Sequence, residues 1–126
     1  MERIIKIEEF EESNPEYMGY CIHTDEQQIL ILVSTGQGCC ESTGYVCSEE
    51  NLDDFIGADI IDIEITDTAL NSRVLERSET FEGGVMFLNV KTTKGVLQFV
   101  VYNDHNGYYG HDAKIISRDL FASEVL

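Results

Sequence analysis

Five consecutive apolar residues, Ile29-Leu30-Ile31-Leu32-Val33, constrain the fold more than any other stretch. Successive side chains of a strand point to opposite faces, so a run that is apolar at every position must be covered from both sides. It belongs in the middle of a sheet, and the rest of the chain has to supply its neighbours. Tyr17 to His23 reads as the strand before it, joined through the polar turn Thr24-Asp25-Glu26-Gln27. Arg3 to Phe10 reads as a first strand with Ile5 and Ile7 on one face, ended by Ser13-Asn14-Pro15.

Further along, Asp59 to Ile65 alternates acid with isoleucine, the pattern of a half-buried strand with a charged outer face. Val85 to Thr92 and Val96 to Asn103 form a hairpin across Thr93-Lys94-Gly95, where Gly95 suits a positive φ. Lys114 to Ser117 adds a short strand, and Asp119 to Leu126 is open between a helical turn and a frayed end. Ser34 to Gly44 and Asp104 to Asp112 read as glycine-containing loops, and Asn71 to Gly84 as a polar excursion. Ser48 to Gly57 reads as one short helix, with Ser48 as its cap, acids in its first turn and Gly57 at its end. The expected class is α+β, mainly β: a twisted antiparallel sheet of about six to seven strands with one short helix.

With 126 residues, 1–126 is the length of a single domain, and a 43% hydrophobic content places it among globular chains. No run of about 18 apolar residues suggests a membrane helix, and charges thread the first residues where a signal peptide would be apolar. The expected location is the cytoplasm, where Cys21, Cys39, Cys40 and Cys47 stay reduced or bind metal. Twenty-four acidic against eight basic residues leave a net charge of −16. Such a surface is repelled by nucleic-acid backbones, whose binding depends on cations releasing counterions. It either keeps the protein soluble or docks on a basic surface.

Cys39, Cys40 and Cys47 lie close together in sequence, as do His105 and His111. Thiolate and imidazole are zinc ligands, and Cys40, Cys47, His105 and His111, with Cys39 as substitute, would make a tetrahedral structural site joining the two loops. The pattern lacks a Cys-x-x-Cys pair, and buried thiols often act as small hydrophobes. A nucleophilic alternative takes Cys40 as nucleophile, His105 or His111 as base, Glu41 as orienting group and the Gly36 and Gly38 amides as an oxyanion site. The surrounding acid opposes it by suppressing the thiolate. Tyr108 and Tyr109 are candidate interface anchors after the Asn106-Gly107 turn, and the Asp59, Asp62 and Glu64 face is either solvated or a docking surface.

Cys39-Cys40-Glu41-Ser42, Leu52-Asp53-Asp54-Phe55-Ile56-Gly57, Thr92-Thr93-Lys94-Gly95 and Asn106-Gly107-Tyr108-Tyr109 follow one another in an order that resembles an uncharacterised family of small bacteriophage and prophage proteins. The resemblance covers roughly positions 36 to 115. The family pattern has serine after the paired tyrosines, where this chain has Gly110-His111, so a metal site would belong to this branch. What the resemblance implies is a phage context inside an infected or lysogenic bacterial host. Small acidic phage proteins are often anti-defence factors, including anti-CRISPR proteins that bind an RNA-guided nuclease and block DNA loading. The expected partner is then a basic host protein, such as a CRISPR effector nuclease with its positively charged channel. The alternative is a binder that sequesters a small defence-signalling nucleotide, using Tyr108, Tyr109 and a cation at Arg73 or Arg77. An enzyme comes third.

Overall fold

The computed structural model describes residues 2–13, 16–34, 41–66, 70, 74, 84–105, 112–118 and 120–126. Among the described residues there are nine strands: β1 (Glu2–Ser13), β2 (Glu16–Thr24), β3 (Gln28–Ser34), β4 (Glu41–Cys47), β5 (Asp59–Thr66), β6 (Gly84–Thr92), β7 (Gly95–His105), β8 (Asp112–Ile116) and β9 (Phe121–Val125). They form a single open antiparallel sheet in the order β4-β7-β6-β5-β1-β2-β3-β8-β9. The expected mainly-β architecture holds, with nine strands in place of six to seven. The additional ones are β4, which begins inside the stretch read as loop, and β9, in the tail left open.

β1 divides the sheet into two wings. Its Glu2 and Arg3 pair with β5, and from Ile4 onward it pairs with β2. The sheet curls so that the inner faces of the wings meet: the Tyr20 ring of β2 lies edge-on to Tyr45 of β4 at 5.0 Å and to Phe99 of β7 at 5.1 Å. Ile22, Ile31 and Val33 from one wing share a core with Leu88, Leu97 and Phe99 from the other. The run Ile29 to Val33 is internal, between β2 and β8, as its sequence requires. At Gly19, where φ is +155°, a Cβ would run into the backbone of Ile31, so only glycine permits this close approach of β2 and β3.

Two strands depart from simple alternation in the same way. β1 contains Ile4-Ile5-Lys6-Ile7-Glu8 and β5 contains Ile60-Ile61-Asp62-Ile63-Glu64. In each, the isoleucines that pack in the core, Ile4 and Ile7 or Ile60 and Ile63, are three positions apart, an odd spacing that a regular strand would send to opposite faces. A register shift resolves the conflict between Ile4 and Lys6 and again between Ile60 and Asp62. The extra residues, Ile5 and Ile61, are left 55% and 60% exposed. Ile5 therefore does not share a face with Ile7, contrary to the reading from alternation.

The expected helix over Ser48 to Gly57 is only a 3-10 turn, Leu52–Phe55. Ser48 does not cap it: its backbone N–H donates to the Gln98 carbonyl and its Oγ accepts from the Gln98 N–H, each at 2.9 Å, so Ser48 extends the β4–β7 ladder. Asn51 precedes the turn without a capping side-chain bond, and Phe55 is buried against the core. The β6–β7 hairpin turns as expected, with Gly95 at φ +127° and Thr92 Oγ1 donating to the Gly95 carbonyl at 2.7 Å.

Within the polar excursion, Val74 is fully buried against Phe87 and Val100 on the outer face of the β6–β7 hairpin. Just before it, the Leu70 N–H donates to Gln98 Oε1 at 2.8 Å, and Gln98 Nε2 donates to Asn89 Oδ1 at 2.9 Å. The rest of that excursion lies outside the described residues. Among the described residues no helix is long and apolar enough to cross a membrane.

Candidate metal site

On the outer face of the other wing, the β1–β2 ladder brings together four side chains with complementary chemistry. Ile7 and Ile22 pair and turn inward, which sends the flanking pairs Lys6↔His23 and Glu8↔Cys21 outward. Glu8 thus faces Cys21 directly and His23 on the diagonal, a distance long side chains bridge. His23 Nε2 lies 2.7 Å from Glu8 Oε1, and Lys6 Nζ lies 2.9 Å from Glu8 Oε2. Gln28, opposite His23 on β3, places its amide nitrogen 3.4 Å from His23 Nδ1. Ligand atoms of Glu8, Cys21 and His23 all fall within 4.8 Å of one another.

Local electrostatics follow from this arrangement. The Lys6 ammonium and, after it, the His23 imidazole hold the Glu8 carboxyl below its ordinary range. Cys21 is only 1% exposed and is not in a disulfide; burial pushes its thiol up, and the Glu8 carboxylate adds to that. A thiol held protonated is a poor nucleophile, and both His23 nitrogens already face Glu8 and Gln28 rather than Cys21. The donor set of one sulfur, one imidazole nitrogen and one carboxylate oxygen is instead one that could hold a metal ion.

The residues singled out from sequence are placed differently. Cys47 is buried in the core opposite Phe99, and burial pushes its thiol up to about 11. His105 pairs with Glu41 at the other end of the same ladder. Six ladder positions separate them, roughly 20 Å along a strand, so Cys47 and His105 cannot share an ion. This takes Cys47 out of the expected Cys40, Cys47, His105 and His111 set, because the strand Glu41–Cys47 carries it away from His105. Cys39, Cys40, His111, Tyr108, Tyr109, Gly36, Gly38, Arg73 and Arg77 lie outside the described residues. The anchors of the two loops do converge, since Glu41 pairs with His105 and Val33 with Ala113.

The acidic face of β5 carries its own counter-ions. Arg3 Nε lies 3.8 Å from Asp59, Lys91 Nζ lies 3.2 Å from Glu64, and Asp62 Oδ1 accepts from the Ile63 N–H at 2.9 Å. Sequence reasoning passed over Glu8, Cys21 and His23, although Cys21-Ile22-His23 held a usable signal. Residues two apart in a strand share a face, and the neighbouring Tyr17 to Val33 hairpin was legible.

No curated protein and no solved structure matches the chain. Residues 1–115 match a family model described as a domain of unknown function, DUF7448, and with nearly the whole chain covered, including all of β1, β2 and the Glu8–Cys21–His23 group, the chain belongs to that family.

Proposed function

We propose that the protein works by stoichiometric binding, docking an acidic surface on a basic partner of the nucleic-acid-handling kind. In its most specific form this is a phage anti-defence factor of the anti-CRISPR type, which occupies the basic channel of an RNA-guided nuclease in the bacterial cytoplasm and keeps DNA out. The observation that supports it is the charge of −16, together with where the few cations are spent. Arg3, Lys6, Lys91 and Arg118 each lie within 4.0 Å of a carboxylate of this chain. The surplus acid therefore has little internal compensation and projects a field that steers the molecule toward positive surfaces.

Zinc, expected from the sequence as a structural ion, is assigned in this reading to Glu8, Cys21 and His23, whose mixed sulfur, nitrogen and oxygen donors suit a borderline-soft cation. Nothing described favours nucleotide sequestration. Among the described residues, the groove of about 520 Å³ between Ile65, Thr66, Val85, Met86, Phe87 and Glu124 offers a carboxylate and no cation, the reverse of what phosphates require.

The test is association with a purified RNA-guided nuclease, followed by rate against ionic strength and by competition with target DNA. Charge-steered docking slows steeply between low and physiological salt, and bound protein displaces DNA. An association rate indifferent to salt, or a ternary complex with DNA still loaded, removes this reading.

A further inference from the structure

We infer that Glu8, Cys21 and His23 form a three-donor site for a zinc-class divalent cation whose fourth coordination position is left for a donor from outside the chain. The inference rests on the zinc assignment made above and is independent of which protein is docked. Four-coordinate zinc needs donors about 3.5 Å apart around a centre about 2.0–2.3 Å from each. Three unlike donors already lie within 4.8 Å, on two strands whose direct pairing fixes their backbones, so side-chain rotation alone brings them to that spacing.

The Cys21 thiol gives its proton to solvent and a metal–sulfur bond forms. Glu8 Oε1 exchanges its contact with His23 Nε2 for the ion, while Glu8 Oε2 keeps the Lys6 ammonium. His23 then binds through Nε2, with its proton on Nδ1 donated to Gln28 after the Gln28 amide turns to present Oε1. Carboxylate and thiolate together neutralise the ion, and Lys6 leaves one positive charge beside it.

The fourth position follows from where the donors sit. Cys21 lies at the floor, while the side chains of Glu8 and His23 are 36% and 27% exposed, so the ion's outer side faces solvent. Among the described residues no fourth ligand completes the group. Structural zinc sites are closed by four protein ligands, whereas a site with three keeps a position for water or an exchangeable donor. An imidazole or thiolate on a docked protein has the chemistry to fill it.

Cobalt(II) titration of the full chain tests the site, because a cobalt–thiolate bond absorbs in the near ultraviolet and the visible bands report coordination. The expected result is one cobalt per chain with the thiolate band, displaced by zinc, and visible bands that shift when imidazole is added. Cys21→Ser abolishes the thiolate band, and the change Glu8→Gln at a half-buried position weakens affinity by roughly tenfold or more while circular dichroism stays native. Lys6→Gln tightens binding several-fold by removing the neighbouring positive charge. Cys39→Ser with Cys40→Ser leaves the signal intact. A thiolate band that survives Cys21→Ser but disappears with Cys39→Ser and Cys40→Ser moves the ion elsewhere and overturns this site while zinc stands. Absence of stoichiometric cobalt overturns both, and bands unmoved by saturating imidazole overturn the open position.

Discussion

Two outward patches of this sheet are built on the same backbone device and carry different chemistry. In β1 and in β5 the sequence Ile-Ile-x-Ile-Glu makes a bulge, packs the flanking isoleucines against the core and turns a glutamate outward, Glu8 in one case and Glu64 in the other. Each glutamate is held by a lysine, Lys6 at 2.9 Å and Lys91 at 3.2 Å. The difference lies in the neighbouring strand. Opposite Glu8 stands Cys21, with His23 on the diagonal; opposite Glu64 stands Asn89, with Lys91 on the diagonal. Asn89 is tied to the buried Gln98, which also receives the Leu70 N–H, so that patch adjoins a covered and internally satisfied region. The β1–β2 patch presents donors that a cation can use. A shared backbone thus sets where a charged group projects, and two cross-strand residues decide what it can do.

The largest expected effect removes what both patches rest on. Phe99→Ala, in the core against Tyr20, should cost about 3–5 kcal/mol in urea unfolding, enough to loosen both wings together. Val74→Ala should cost about 2 kcal/mol through the cluster with Phe87 and Val100, while cobalt binding at β1–β2 stays unchanged. Loss of the cobalt signal in that variant would mean that the two faces are not independent.

A graft sharpens the comparison. Asn89→Cys with Lys91→His should place a thiol and an imidazole beside Glu64 in the same relation as Cys21 and His23 to Glu8, and add a second cobalt with a thiolate band. It should also cost about 0.5–1.5 kcal/mol, because the hydrogen bond from Gln98 Nε2 to Asn89 Oδ1 is lost. A graft that folds without taking up cobalt would show that strand register is not sufficient.

Thiol reactivity gives a smaller effect. Peptide mapping after iodoacetamide at neutral pH should find Cys21 and Cys47 modified far more slowly than in urea, since burial pushes both thiols up, Cys47 to about 11. Zinc should slow Cys21 further and leave Cys47 unchanged. The smallest effect is in pH. The Glu8 carboxyl is lowered on folding, so its contribution is present above the unfolded value near 4.5 and fades as pH falls through the lower folded value. The stability difference between the native chain and Glu8→Gln should therefore shrink from neutral pH to about pH 3. A difference that grows on acidification would reverse the assigned sign.

The regular hairpins were legible because their information is local. Alternation and a Thr-Lys-Gly turn mark β6 and β7, and the doubly apolar run of β3 announces an internal strand. The helix over Ser48 to Gly57 was misread because a serine before acids satisfies the local rule for a cap, while Gln98, fifty residues away, offers Ser48 a better ladder. The bulges are invisible to alternation within a single strand, because only the core requires Ile4 with Ile7 and Ile60 with Ile63 to face the same way.

By itself the sequence determined the surplus of acid, the strand-forming runs and most of the turns, since charge sums without geometry and side-chain alternation is a property of the extended backbone alone. Tertiary structure decided which outward residues meet. Glu8 and Cys21 are thirteen positions apart in sequence yet meet, while Cys47 and His105, assigned from sequence to one ion, are held at opposite ends of one ladder. Register depends on how bulges, core packing and strand order are satisfied together, and that joint condition cannot be read from any single segment.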